Sequence, residues 1–141
     1  MSPRVADVLR ERTVSVETST SVGDAIDAVR EYTPADDGVA VYYVYVTDDG
    51  ELVGVVSVRE LLNAEDDASL SEVMTTEVVS VTTTDSLQRA IRSVIDNRFP
   101  VLPVVDEEGR FVGVVLANDV IDAMDEQTTK QLFKQAGFWF R

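Results

Sequence analysis

Val14-Ser15-Val16 returns as Val79-Ser80-Val81, 65 residues later, and Ala25-Ile26 with Val29 returns as Ala90-Ile91 with Val94 at the same offset. Farther on, GELVGVV from Gly50 is matched by GRFVGVV from Gly109, and there the offset is 59. The first copy therefore carries six extra residues, in the turn-rich stretch TPADDG from Thr33 to Gly38. Self-similarity at a fixed period means two copies of one supersecondary unit, so any fold assigned to one half must serve the other.

Each copy reads as β-α-β-β-α. A short β-rich segment (Thr13 to Glu17; Val78 to Thr82) leads into an amphipathic helix. The helix is marked in the first copy by Val22, Ile26 and Val29, with Ser21 or Asp24 as cap, and in the second by Leu87, Ile91, Val94 and Ile95, with Asp85 or Ser86 as cap. A hairpin follows (Val39 to Val46 with Leu52 to Ser57; Val101 to Val105 with Phe111 to Leu116), turning at Asp48-Asp49-Gly50 and Glu107-Glu108-Gly109, where glycine takes a positive φ at little cost. A short helix closes each unit, Val58 to Ala64 and Ala117 to Met124. One such unit cannot cover its own sheet face and helix stripes. The expected fold is α/β (α+β), with the two units packed about a pseudo-twofold axis. Residues 1–66 form the first unit, 67–74 a linker, 75–124 the second unit and 125–141 a helical tail.

Composition narrows the chemistry. The chain has no cysteine and no histidine, which removes disulfides, thiol nucleophiles, the usual zinc sites and imidazole bases. Phosphate-cradling and dinucleotide glycine motifs are missing too, so an enzyme is not expected. A net charge of −14 on 141 residues opposes binding to nucleic acid or to an anionic membrane. The acids are spread along the whole chain and only two of the basic residues are lysine, a surface that suits a salt-loving organism, where salt screens the repulsion. No run of 18 apolar residues appears, and the N-terminus has no apolar signal region.

The residues after each hairpin carry a family resemblance. Gly54-Val55-Val56-Ser57-Val58-Arg59-Glu60-Leu61 and Gly113-Val114-Val115-Leu116-Ala117-Asn118-Asp119-Val120 resemble the tandem cystathionine-β-synthase-type (CBS) domain pattern of glycine, apolar pair, Ser or Thr, two variable residues and Asp. The likeness runs from about Val5 to Met124. Tyr42-Tyr43-Val44-Tyr45-Val46, DDGELVGVVSVRELL and LPVVDEEGRFVGVV are similar, more narrowly, to the CBS region of MgtE-type magnesium transporters.

The resemblance implies a regulatory, non-catalytic module that binds an adenine nucleotide (ATP, ADP or AMP) in the cleft between the units. By residue, it places the ribose carboxylate at Glu60, one methylene longer than the usual Asp, a hydroxyl at Ser57 and a phosphate contact at Arg59. Tyr43 lies against the adenine, Phe99, Leu102 and Pro103 come from the second unit, and Val14 and Val16 line the pocket. A second, weaker site would use Asp119, Val79 and Val81, with Leu116 in place of the hydroxyl. Ordinary structural roles stand beside these: strand packing for the tyrosines, core for Phe99, a helix cap for Ser57 and a solvated pair for Arg59 and Glu60.

The transporter family also senses Mg2+, which prefers oxygen ligands. Asp119 and Asp122 match its acidic positions, whereas Arg98, Gln127, Lys130 and Gln131 depart from them. The resemblance further implies a homodimer through CBS–CBS contacts, a membrane transporter domain as partner, and a cytoplasmic location, at the cytoplasmic face of the membrane if joined to a transporter. The alternatives are a Mg2+-sensing gate and a ligand-free dimerisation module. Phe138-Trp139-Phe140 reads as a boundary cut through a helix.

Overall fold

The structure, a computed structural model, describes residues 3–32 and 41–124; the insertion around Thr33 to Gly38 and the tail from residue 125 lie outside the described residues. The chain forms two compact units. One holds residues 12–32 and 41–78 with Gly109–Phe111; the other holds residues 3–11, 79–108 and 112–124.

The first unit contains strand β1 (Ser15–Glu17), helix α1 (Val22–Glu31), strands β2 (Tyr43–Asp48) and β3 (Glu51–Ser57), and short helices α2 (Val58–Asn63) and α3 (Leu70–Val73). Its sheet runs β1-β2-β3, with β1 parallel to β2 (Ser15 opposite Tyr45) and β2 antiparallel to β3. Asp49 (φ 52°) and Gly50 (φ 88°) form the two-residue turn between β2 and β3, the pair of positive φ angles that matches the twist of a hairpin. Ser21 supplies the α1 cap, its hydroxyl accepting the Asp24 N–H at 3.1 Å. β2 is the middle strand, and because Val44, Tyr45 and Val46 are buried in succession, both its faces are covered. Val14, Val22, Ala25, Val56, Leu61 and Leu70 complete the core. The Tyr45 ring stacks on Phe111 at 5.2 Å, and burial pushes its phenol well above the ordinary tyrosine value, with Tyr43 adding to the shift.

Thr47 is the one buried polar side chain among the described residues, and it is satisfied. Its hydroxyl donates to Glu17 Oε2, while the Asp49 N–H donates to Glu17 Oε1 at 3.0 Å. These bonds favour the ionised carboxylate, the Thr47 bond most, and hold the Glu17 pKa below its ordinary value. A depressed carboxylate pKa stabilises the fold above the unfolded-state value, and that stability is lost as pH falls through the folded-state pKa. The expected NMR titration of Glu17 has its midpoint below that of an exposed glutamate, and Thr47→Val moves it upward; an unmoved midpoint in the variant would refute the assignment.

The second unit contains strand β4 (Val81–Thr82), helix α4 (Leu87–Asn97), strands β5 (Val101–Val105) and β6 (Phe111–Leu116), and helix α5 (Ala117–Ala123), with sheet order β4-β5-β6. Ser86 caps α4 by accepting the Arg89 N–H at 3.2 Å, whereas Asp85 accepts the Thr82 N–H at 2.8 Å and so shapes the turn before it. Val81, Leu87, Ala90, Ile91, Val94, Leu102, Val104, Val115 and Val120 form the core.

Packing does not divide the chain where the repeat does. Residues 1–66 read as one unit in the sequence, yet residues 3–11 pack with the second repeat. Their 3-10 turn Val5–Val8 inserts Val5, fully buried, into the second unit's core, and Arg10 pairs with Val114 through two backbone hydrogen bonds of 2.8 Å. At the repeat offset of 65, Leu70–Val73 is the counterpart of Val5–Val8, and it packs in the first unit, where Thr75 pairs with Val55. Each lead-in segment thus seals the sheet of the other repeat. The stretch read as a linker is the second of these seals, and α3 lies inside it.

Candidate functional site

The first unit gathers most of the residues expected to hold a nucleotide at one edge of its sheet. Tyr43 opens β2 and stands directly opposite Ser57, the last residue of β3. The Tyr45 N–H donates to the Val14 carbonyl at 3.1 Å, and the Val58 N–H to the Tyr42 carbonyl at 3.1 Å. Val14, Tyr43 and the start of α2 are therefore neighbours through backbone pairing alone. Val14 is 5% exposed and belongs to the core, with Val16 packed against it, so these valines support the edge. Tyr43 is half-buried, its ring 6.5 Å from that of Tyr45 and 6.4 Å from that of Tyr42.

Ser57 and Glu60 form a reciprocal capping box. The Ser57 hydroxyl accepts the Glu60 N–H at 3.0 Å, and Glu60 Oε1 accepts the Ser57 N–H at 2.9 Å. The capping role open to Ser57 is thus realised, and Glu60 is held at the start of α2 with a second carboxylate oxygen to offer. Glu60 and Arg59 are both exposed. The arrangement presents a carboxylate, a hydroxyl O–H, a guanidinium and an aromatic ring within one strand-to-helix junction.

The second unit repeats the junction with different chemistry. Leu102 holds the repeat position of Tyr43 but is fully buried in the core, and Pro103 beside it is buried as well. Phe99 and Val79 are partly buried against the same core, and Val81 is 2% exposed within it. Leu116 precedes α5 without a side-chain cap. Asp119, the counterpart of Glu60, receives a bidentate ion pair from Arg10, Nε to Oδ2 at 2.6 Å and Nη2 to Oδ1 at 3.2 Å. Nothing in the motif reading singled out Arg10, which lies 109 residues from its partner and outside both repeat motifs.

The two predicted metal ligands, Asp119 and Asp122, face one open depression of about 410 Å³, lined also by Val8, Leu9, Arg10 and Ala123. Among the described residues no group of three or more Asp, Glu, His or Cys side chains is placed to hold a metal ion. A second depression in the first unit, about 530 Å³, is lined by Asp24, Asp27, Asp66 and Asp67 with Arg30, whose guanidinium lies 3.5 Å from Asp27. No helix among the described residues is long and apolar enough to cross a membrane.

Comparison with known proteins agrees with this fold. The magnesium transporter MgtE of Thermus thermophilus is 38% identical over 122 residues, 86% of this chain and 27% of that protein. The cytosolic domain of the Mg2+ channel MgtE in complex with ATP superposes with a TM-score of 0.78 at 35% identity, over 86% of this chain and 48% of that one. The soluble part of a magnesium transporter gives 0.79 at 29% identity, over 88% and 48%. The chain thus spans about a quarter of the curated transporter and about half of the solved domains. The CBS domain model matches twice, at residues 5–67 and 70–126. With nearly its whole length accounted for by two copies of one domain, the chain belongs to the CBS domain family, as a tandem pair related to the cytosolic region of MgtE magnesium transporters.

Proposed function

We propose that this CBS pair is a regulatory module that binds an adenine nucleotide at the strand-to-helix junction of its first repeat and serves magnesium transport, as the cytosolic part or a soluble relative of an MgtE-type transporter. One observation supports the reading: Tyr43 stands opposite Ser57, which opens the segment carrying Arg59 and its capping partner Glu60, in a chain 35% identical to an MgtE cytosolic domain solved with ATP. Glu60 accepts the ribose hydroxyls through the oxygen its capping box leaves available, Tyr43 packs against the base, and Arg59 offsets phosphate charge. The module acts by binding: the nucleotide shifts its conformation by the difference in affinity between two states, and no covalent step is involved. The same proposal has the module self-associate through its short helices, on one of which Leu62 is 66% exposed.

The test is thermal unfolding in high-salt buffer with ATP, ADP, AMP and Mg2+ added singly and together. A nucleotide at a hundred times its Kd stabilises the fold by about 2.7 kcal/mol, a rise in Tm of several degrees. The expected result is that rise in wild type and its loss in Glu60→Ala. A shift with Mg2+ alone would favour a magnesium-sensing gate, the reading that the transporter relatives support second. No shift with any ligand would leave a dimerisation module.

A further inference from the structure

We infer that Arg10 closes the second repeat's carboxylate from within the chain, so that Asp119 is a latch for the N-terminal segment and the module takes one equivalent of nucleotide. The two lead-in segments make the contrast. Thr75 docks on Val55, and Arg10 on Val114, by the same pair of backbone hydrogen bonds, 2.8 and 3.0 Å in the first unit and 2.8 Å twice in the second. Backbone pairing is therefore enough to seat such a segment. Only Arg10 adds a guanidinium, and it spends that group on Asp119, covering both carboxylate oxygens.

Asp119 stands at the repeat position of Glu60, but the two carboxylates are committed differently. Glu60 folds back on its own helix start and uses one carboxylate oxygen for the Ser57 N–H. Asp119 is bound by a partner 109 residues away whose main chain is itself fixed to β6. A vicinal diol offers two hydrogen bonds from neutral donors; the bidentate guanidinium offers two from a cationic donor, completing an ion pair, and is already in place. A ribose arriving at Asp119 would have to displace Arg10, and Leu116 offers no hydroxyl in return. The side chains of Arg10 and Asp119 are 35% and 25% exposed, so the pair is partly shielded from solvent competition.

That the vacant carboxylate belongs to Glu60 rests on the nucleotide reading; that Asp119 is a latch does not, and two measurements separate them. Amide exchange at Val114, whose N–H donates to the Arg10 carbonyl, reports the latch without any ligand. Asp119→Asn and Arg10→Gln are each expected to speed that exchange about tenfold, while ATP titration calorimetry on Asp119→Asn stays at one equivalent with unchanged affinity. Unchanged exchange in both variants overturns the latch. Two equivalents of ATP on the wild-type chain, or a tenfold loss of affinity in Asp119→Asn, overturns the closure. A wild-type chain that takes no ATP brings down the nucleotide reading instead, and the Val114 exchange still decides the latch.

Discussion

Truncating Ile91 to alanine lowers the free energy of unfolding by about 2–5 kcal/mol. Ile91 is fully buried on α4, within the cluster that joins that helix to Val5, Leu102, Val104 and Val120. Removing its outer carbons forfeits their transfer from water and leaves a hollow that close-packed neighbours fill only in part. Domains of this kind are held by only about 5–15 kcal/mol, so the variant sits near its folding threshold. Ile91→Val, which keeps the branch, costs about 0.5–1.5 kcal/mol. Urea denaturation checks both: the midpoint falls in that order while the slope holds. Equal losses in the two variants would mean that the site collapses freely and the core is less tightly packed than its burial indicates.

Gly113→Ala is the second large effect, about 1–3 kcal/mol from backbone strain alone. Gly113 holds φ 151°, a conformation that a side chain resists, and an added methyl there meets the Arg10 carbonyl oxygen and the Leu9 side chain. The Arg10 backbone cannot swing aside as a side chain would, so the lead-in segment has to lift from β6. Gly54 is the repeat counterpart and makes the control. Its methyl would meet Met74 Sδ at 2.5 Å, the flexible end of a thioether, and its φ is not positive. Gly54→Ala is therefore milder. Circular-dichroism melting of the two variants ranks them, and proteolysis near residue 10 accompanies the Gly113 loss; a Gly54 variant as unstable as Gly113→Ala would contradict this account.

The elements that could be read from the sequence are those whose causes are local. Both hairpins, their glycine turns, the two long helices and a serine cap on each follow from spacing and side-chain chemistry within about ten residues. Val41 and Tyr42, read as strand, precede β2, which starts at Tyr43, while Val39 and Ala40 lie outside the described residues. Whether a residue points to a core or a cleft was harder. Tyr43 and Leu102 share one repeat position and lie on strands covered on both faces, where apolar alternation carries no signal. The second became core and the first remained half-exposed. Glu60 and Ser57 were legible as neighbours three residues apart, though their capping box serves helix start and candidate site at once. The Arg10–Asp119 pair was not legible, because only the docking of residues 3–11 on β6 brings it together.

That docking also sets an order of events. On a ribosome residues 3–11 emerge before anything they can seal. The strands and helices they cover, from Val79 to Ala123, are made after them. The stretch 12–78, by contrast, brings its own seal at Leu70–Thr75 as it leaves the tunnel, and lacks only Gly109–Phe111. The chain thus matures from its middle outward. Val5 and its neighbours wait as an unsheltered apolar segment while about a hundred residues are added, some five to twenty seconds at ordinary translation rates. A dense acidic surface keeps such a nascent chain apart from its copies during that interval.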